Sequence, residues 1–94
     1  MSKKINLETK IEPVTGVAVK EAPDSAVILN LNNENYYGLN SSAFTIYQAL
    51  ITQPCISDAI KTLLNQLQID EATLTKDTLE LIQELILNGI VKAG

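Results

Sequence analysis

The chain contains no histidine and no tryptophan, and its single cysteine is Cys55. Histidine is the most frequent general base and metal ligand, so its absence excludes a Cys–His pair, a Ser–His–Asp triad and a tetrahedral zinc site within this chain. The four glycines are too scattered to form a phosphate-binding loop. We therefore expect a protein that is not an enzyme, uses no cofactor or metal, and acts by binding.

Long apolar runs and an excess of positive charge are also missing. No stretch approaches the roughly 20 apolar residues that cross a bilayer, and 7 Lys and Arg stand against 11 Asp and Glu, giving a net charge of −4. This balance predicts neither a nucleic-acid partner nor a membrane partner. The lone Cys55 and the polar N-terminus, which does not resemble a signal peptide, predict a cytoplasmic location.

A length of 94 residues predicts one domain. Residues 1–12 alternate charged and small apolar groups before Pro13, and we interpret them as a flexible N-terminal segment that precedes a single domain over residues 13–94. Within that domain, β-branched and apolar runs at residues 14–20, 26–31 and 36–39 are separated by short turn sequences. The three runs predict an antiparallel meander.

Helical spacing replaces the strand pattern after Leu39. Asn40-Ser41-Ser42 predicts the cap of a first helix, Ser57-Asp58 the cap of a second, and a third helix begins between residues 72 and 75 and ends at Asn88-Gly89. Ile90-Val91 is then expected to leave as an extended tail. The predicted fold class is α+β and winged helix-turn-helix-like, with a three-stranded antiparallel sheet followed by three helices.

Two surfaces of this fold are candidates for binding. The third predicted strand carries two tyrosines, a glycine and no charge after Glu34, and an edge strand of this kind can pair with another chain. The last helix has a broad apolar face and an acidic stripe at Asp77, Glu80 and Glu84. The high β-propensity of tyrosine is enough to explain the two tyrosines without a binding role. A helix at the centre of the core would likewise need a broad apolar face. For each surface, the structural interpretation therefore stays open beside the binding one.

Three segments together resemble the PqqD family, the recognition elements for ribosomally made and post-translationally modified peptides. They are residues 36–47, which read YYGLNSSAFTIY, residues 56–60, which read ISDAI, and residues 75–91, which read TKDTLELIQELILNGIV. The ordered set spans about two-thirds of the chain. Tyr47 stands where the family favours Trp, and Ala43-Phe44 where it favours Gly-Ala; both departures concern packing of the first helix.

The resemblance implies that the leader region of a precursor peptide adds as a strand to the third strand, beside the last helix, and is delivered to a modifying enzyme. That enzyme would be a leader peptidase and cyclase, as in lasso-peptide systems, or a radical SAM enzyme, as in pyrroloquinoline quinone synthesis; overall likeness favours the lasso type. The residues implied for peptide binding are Asn35, Tyr36, Tyr37, Gly38, Leu39, Asp77, Leu81 and Glu84.

Two other functions are compatible with the same architecture. A winged-helix DNA-binding protein would need several basic residues on its recognition helix, whereas residues 72–88 contain Lys76 alone against three acids. A homodimerisation or scaffold domain would use the open strand edge to pair with a second copy.

Overall fold

The computed structural model describes residues 5–94, which form five strands and three helices. In chain order the elements are β1 (Ile11–Pro13), β2 (Val17–Ala22), β3 (Ser25–Asn30), β4 (Asn35–Asn40), α1 (Ser41–Thr52), α2 (Ile56–Gln66), α3 (Glu71–Leu87) and β5 (Val91–Ala93). The predicted α+β class, with a three-stranded antiparallel sheet followed by three helices, is confirmed.

The main sheet has the order β2-β3-β4, and both of its strand pairs are antiparallel. A two-residue turn at Pro23-Asp24 joins the paired residues Ala22 and Ser25, so β2 and β3 form a tight hairpin. The turn before β4 contains Glu34 with a φ of 61°. The predicted meander is therefore confirmed, and it leaves β4 at one edge of the sheet.

A second sheet joins the two ends of the described chain. β1 pairs with β5 in antiparallel register, with Ile11 opposite Ala93 and Pro13 opposite Val91. The sequence indicated an extended segment after Ile90 but gave no sign of its partner, because three-residue strands far apart in sequence carry no periodic signal. The side chain of Ile11 is fully buried, so the core includes a residue from the segment predicted to precede the domain.

Backbone groups of the N-terminal segment cap α2. The amide of Ile56 donates to the carbonyl of Thr9 at 3.0 Å, and that of Ser57 donates to the carbonyl of Leu7 at 2.8 Å. The predicted side-chain cap at Ser57-Asp58 is therefore wrong: the helix begins at Ile56, its N-cap Cys55 makes no side-chain cap bond, and its first amides use carbonyls distant in sequence. Flexibility of residues 1–12 stays a prediction, and residues 1–4 lie outside the described chain.

The ends of the other helices follow local sequence rules. The Asn40 side chain accepts from the Ala43 amide at 2.8 Å, which confirms the predicted cap of α1. The Asp70 carboxylate accepts from the amide and hydroxyl of Thr73, and these bonds lower the pKa of Asp70. α3 thus begins at Glu71, slightly earlier than predicted. It ends as predicted, because Gly89 adopts a φ of 73° that L side chains rarely tolerate.

The core lies between the inner face of the main sheet and the helices. α1 packs on β3 and β4, whereas α3 packs on α2 and β5 and its backbone stays away from β4 over most of its length. Tyr47 is buried in this core, and the ring of Phe44 stacks against it with centroids 6.3 Å apart. The two departures from the family pattern are therefore accommodated by packing, and the backbones of β4 and α3 stay apart over most of the helix.

Candidate functional site

The outer edge of β4 is open within the structure of residues 5–94. β4 pairs with β3 on one side, and no strand of the described chain pairs with its other side. The strand Asn35–Asn40 carries neither a charged residue nor proline. Natural edge strands usually avoid pairing by means of charges, prolines or bulges. β4 therefore offers unprotected backbone groups to another extended chain.

The register identifies which groups on β4 face outward. Ala22 and Ser25 flank a two-residue turn and form a hydrogen-bonded pair, so every second residue of β3, counted from Ser25, directs its backbone groups towards β2. Leu31 continues this alternation, because its amide donates to the Gly16 carbonyl at 2.9 Å. The amides of β3 that face β4 therefore belong to Ala26, Ile28 and Asn30. Their β4 partners Leu39 and Tyr37 bond inward, so the N–H and C=O groups of Tyr36 and Gly38 point to the free edge.

The side chains along this edge leave room for an incoming strand. Gly38 has no Cβ, and no atom within 4 Å would meet one built there, within the part of the chain that the structure describes. The Tyr36 side chain is 74% exposed, on the sheet face opposite the helices. The open edge is thus accessible at Tyr36 and Gly38.

A side-chain hydrogen bond connects β4 to α3. The Tyr37 hydroxyl donates to Glu84 Oε2 at 2.7 Å. Partial burial, the hydrogen bond to Glu84 and the negative charge of Glu84 together raise the pKa of Tyr37 to about 12. Tyr37 therefore stays neutral at physiological pH and holds the Glu84 side chain beside the edge strand.

The raised pKa of Tyr37 predicts a pH dependence of stability. Because the pKa of Tyr37 is about 10 when unfolded and about 12 when folded, folding favours the protonated phenol. The contribution of the protonated Tyr37 phenol to the free energy of unfolding is complete below pH 10 and is lost as the pH rises towards 12. We expect the free energy of unfolding of the wild type to fall more steeply over this range than that of Tyr37→Phe, measured by urea unfolding. Parallel curves for the two proteins would contradict the raised pKa of Tyr37.

A groove lies along α3 next to this contact. It has a volume of about 370 Å³ and is lined by Glu80, Gln83, Glu84 and Leu87. Leu87 is 85% exposed, which makes it the most exposed of the large apolar side chains in residues 5–94. The groove therefore combines an apolar side chain with two carboxylates. Its lining favours a guest that presents apolar and basic groups.

The structure brings part of the predicted binding set together. Tyr37 and Glu84 are in direct contact, Tyr36 and Gly38 form the open edge, and Asp77 is exposed on the same side of α3 as Glu84. The side chains of Leu39 and Leu81 are buried, at 3% and 8% exposure, so they support the site from the core. Asn35 begins β4, and its amide donates to the side chain of Asn33.

The predicted set omits three residues that line the groove: Glu80, Gln83 and Leu87. The acidic stripe included Glu80, and Leu87 follows the polar residues Gln83 and Glu84 at helical spacing. An exposed leucine on a polar helix face was the available signal for the groove. The contact between Tyr37 and Glu84 had no signal in sequence, because 47 positions separate the two residues.

Over residues 5–94 there is no group of three or more Cys, Asp or Glu that could hold a metal ion. None of the helices in that range is long and apolar enough to span a membrane.

The sequence matches one family model over residues 25–91, that of coenzyme PQQ synthesis protein D (PqqD). The matched range includes β3, β4 and all three helices, and therefore both elements that the bond from Tyr37 to Glu84 connects. No curated protein sequence matches the chain significantly.

Two solved structures share the fold. One is TbiB1 in complex with the TbiA(beta) leader peptide, with a TM-score of 0.76 and 18% sequence identity over 86% of this chain and 94% of that one. The other is lasso peptide synthetase B1 complexed with the leader peptide, with a TM-score of 0.78 and 20% identity over 88% of this chain and 98% of that one. At these identities the likeness establishes the three-dimensional arrangement of the chain.

Proposed function

The chain belongs to the PqqD family, and from that membership we propose that it binds the leader region of a ribosomal precursor peptide and delivers it to a modifying enzyme. The observation that carries this proposal is the open edge of β4, where Tyr36 and Gly38 present backbone groups that no strand of residues 5–94 pairs with, on the strand whose Tyr37 bonds to Glu84 of α3. Two proteins of the same fold have been solved with leader peptides. The proposed role is binding without catalysis.

The leader would add to β4 as a further strand of the main sheet. Backbone hydrogen bonds to Tyr36 and Gly38 provide affinity that depends little on sequence. Alternate leader side chains turn towards α3, where Asp77, Glu84 and the groove residues select among peptides. The predicted binding residues Asn35 and Leu39 flank the pairing segment, and Leu81 supports the helix face from the core.

The chemistry of modification would belong to the partner enzyme. Holding the leader on a domain that also docks on the enzyme raises the effective concentration of the precursor to the order of mM. A dissociation constant near 1 μM, about −8 kcal/mol, would let the modified product leave. The partner is a leader peptidase and cyclase or a radical SAM enzyme, in the cytoplasm where the precursor is made.

Calorimetric titration tests the proposal directly. The probe is a synthetic leader of a precursor peptide encoded beside this chain, and the control is the same composition in scrambled order. We expect saturable one-to-one binding of the leader near micromolar affinity and much weaker binding of the scrambled peptide. Equal binding of both peptides, or of neither, would contradict the proposed function.

The electrostatics of α3 separate this function from DNA binding. The exposed side of the helix that corresponds to a recognition helix carries Asp77, Glu80 and Glu84, which would repel phosphates. A gel shift with random duplex at low salt should therefore show no complex. Retardation of the duplex at micromolar protein would favour the DNA-binding alternative.

A further inference from the structure

The face of the main sheet that points away from the helices carries exposed apolar side chains. Along β3, Ala26, Ile28 and Asn30 turn inward and are buried, so the alternate residues turn outward. Leu29 is 37% exposed, Leu31 62% and Tyr36 74%. We name this surface the outer sheet face; its residues are Ala18, Lys20, Val27, Leu29, Leu31, Tyr36 and Gly38.

The exposed apolar residues of the outer sheet face are adjacent. Leu29 lies directly opposite Tyr36 in the β3–β4 register. Leu31 extends the same alternation by one step, because its amide still bonds to the Gly16 carbonyl of the neighbouring chain segment. Lys20 is the charged residue among the seven. Contiguous exposed apolar surface of this kind marks an interaction site more often than scattered apolar residues do.

The outer sheet face continues the proposed leader-binding edge. Tyr36 belongs to both surfaces, since its backbone points to the free edge and its side chain to the outer face. A leader strand added to β4 would extend the sheet, and every second leader side chain would lie beside Tyr36 on this same face. A protein that covers the outer face would therefore contact the domain and the bound leader together.

We propose that the outer sheet face is where the enzyme that modifies the precursor docks, through an apolar surface with an acidic residue opposite Lys20. This inference rests on the proposed leader-binding function. The leader itself would occupy the edge of β4 and contact the acidic side of α3. The outer sheet face therefore stays uncovered in the leader-bound domain. The positive charge of Lys20 also distinguishes this face from the acidic α3 surface.

A shared surface makes the two binding events interdependent. If the enzyme contacts leader side chains next to Tyr36, the leader-bound domain presents more surface to the enzyme than the free domain does. The affinity of the enzyme for the domain should therefore rise when the leader is bound, and by linkage the leader should bind more tightly when the enzyme is docked.

The test uses the double variant Leu29→Glu/Leu31→Glu, the full-length protein and the purified modifying enzyme encoded beside it. Surface plasmon resonance measures enzyme binding with and without synthetic leader, and calorimetry measures leader binding alone. We expect enzyme affinity to fall at least tenfold while leader affinity stays within twofold of wild type. Leu31→Glu alone, at a position outside the strands, should give a smaller loss of the same kind and covers the case in which the double variant fails to fold.

The matched control is Val19→Glu. Val19 is an exposed aliphatic residue at 43% exposure on the neighbouring strand β2, but its side chain points to the opposite face of the sheet. Its substitution should leave enzyme binding unchanged.

Three outcomes would overturn this inference while the proposed function stands. They are unchanged enzyme affinity in both Leu variants, an equal loss in Val19→Glu, and a dimer of the free domain in light scattering that disappears in the double variant, which would assign the face to a second copy. Failure of the wild type to bind leader in calorimetry would instead remove the proposed function.

Discussion

Replacing Gly38 with proline is expected to weaken leader binding by at least about thirtyfold while the domain stays folded. The Gly38 amide points to the free edge, so proline removes a donor to the leader without removing a bond to β3. The proline ring also occupies the position of the incoming carbonyl, which loses its partner on leaving water at a cost of about 2 kcal/mol or more.

The matched control is Gly38→Ala. Alanine keeps the amide, and its Cβ would enter open space, because no atom of residues 5–94 lies within 4 Å of it. Calorimetry with the synthetic leader should give wild-type affinity for Gly38→Ala and a large loss for Gly38→Pro, with circular dichroism verifying both folds. Similar affinities for the two variants would show that the leader does not pair with this edge.

The second large effect concerns stability. Ile11→Ala is expected to lower the free energy of unfolding by about 3 kcal/mol, because the side chain is fully buried and its removal leaves a cavity in the core. This is a substantial part of the roughly 5–15 kcal/mol that stabilises a typical domain. Residues near the N-terminus would then be part of the folding unit, although the sequence predicted a boundary after residue 12.

Leu7→Ala is the comparison for this prediction. Leu7 belongs to the same segment but is 42% exposed, and its contact with α2 uses the backbone carbonyl, which the substitution retains. Leu7→Ala should lower the free energy of unfolding, measured by chemical denaturation, by less than about 1 kcal/mol. Equal losses for Ile11→Ala and Leu7→Ala would show that the segment does not contribute to the core as the structure indicates.

The sequence predicted those parts of the fold that depend on residues close together in the chain. The main sheet, the open edge and the cap at Asn40 were predictable because strand alternation, turn residues and capping side chains act over a few positions. The pairing of Ile11 with Ala93 and the capping of α2 by Leu7 and Thr9 were not, since they are backbone contacts between distant segments and leave no pattern in either segment.

The candidate site also contains features that the sequence predicted and features that it did not. The identity of the binding elements came from the uncharged edge strand and the acidic helix, both of which are local features. Which side of α3 faces β4 was open in the sequence and became visible through the bond from Tyr37 to Glu84. The broad apolar face of α3 lies largely in the core. Leu81 on this face is buried, whereas Leu87 on the polar side of the helix is exposed.

Residue-resolved amide hydrogen exchange, measured by NMR with and without the synthetic leader, tests strand addition at β4 most directly. The account predicts that the amides of Tyr36 and Gly38 exchange rapidly in the free domain and become protected when the leader binds. The amides of Tyr37 and Leu39, which already bond to β3, should change little. Saturation with leader that leaves Tyr36 and Gly38 exchanging at their free rates would contradict it.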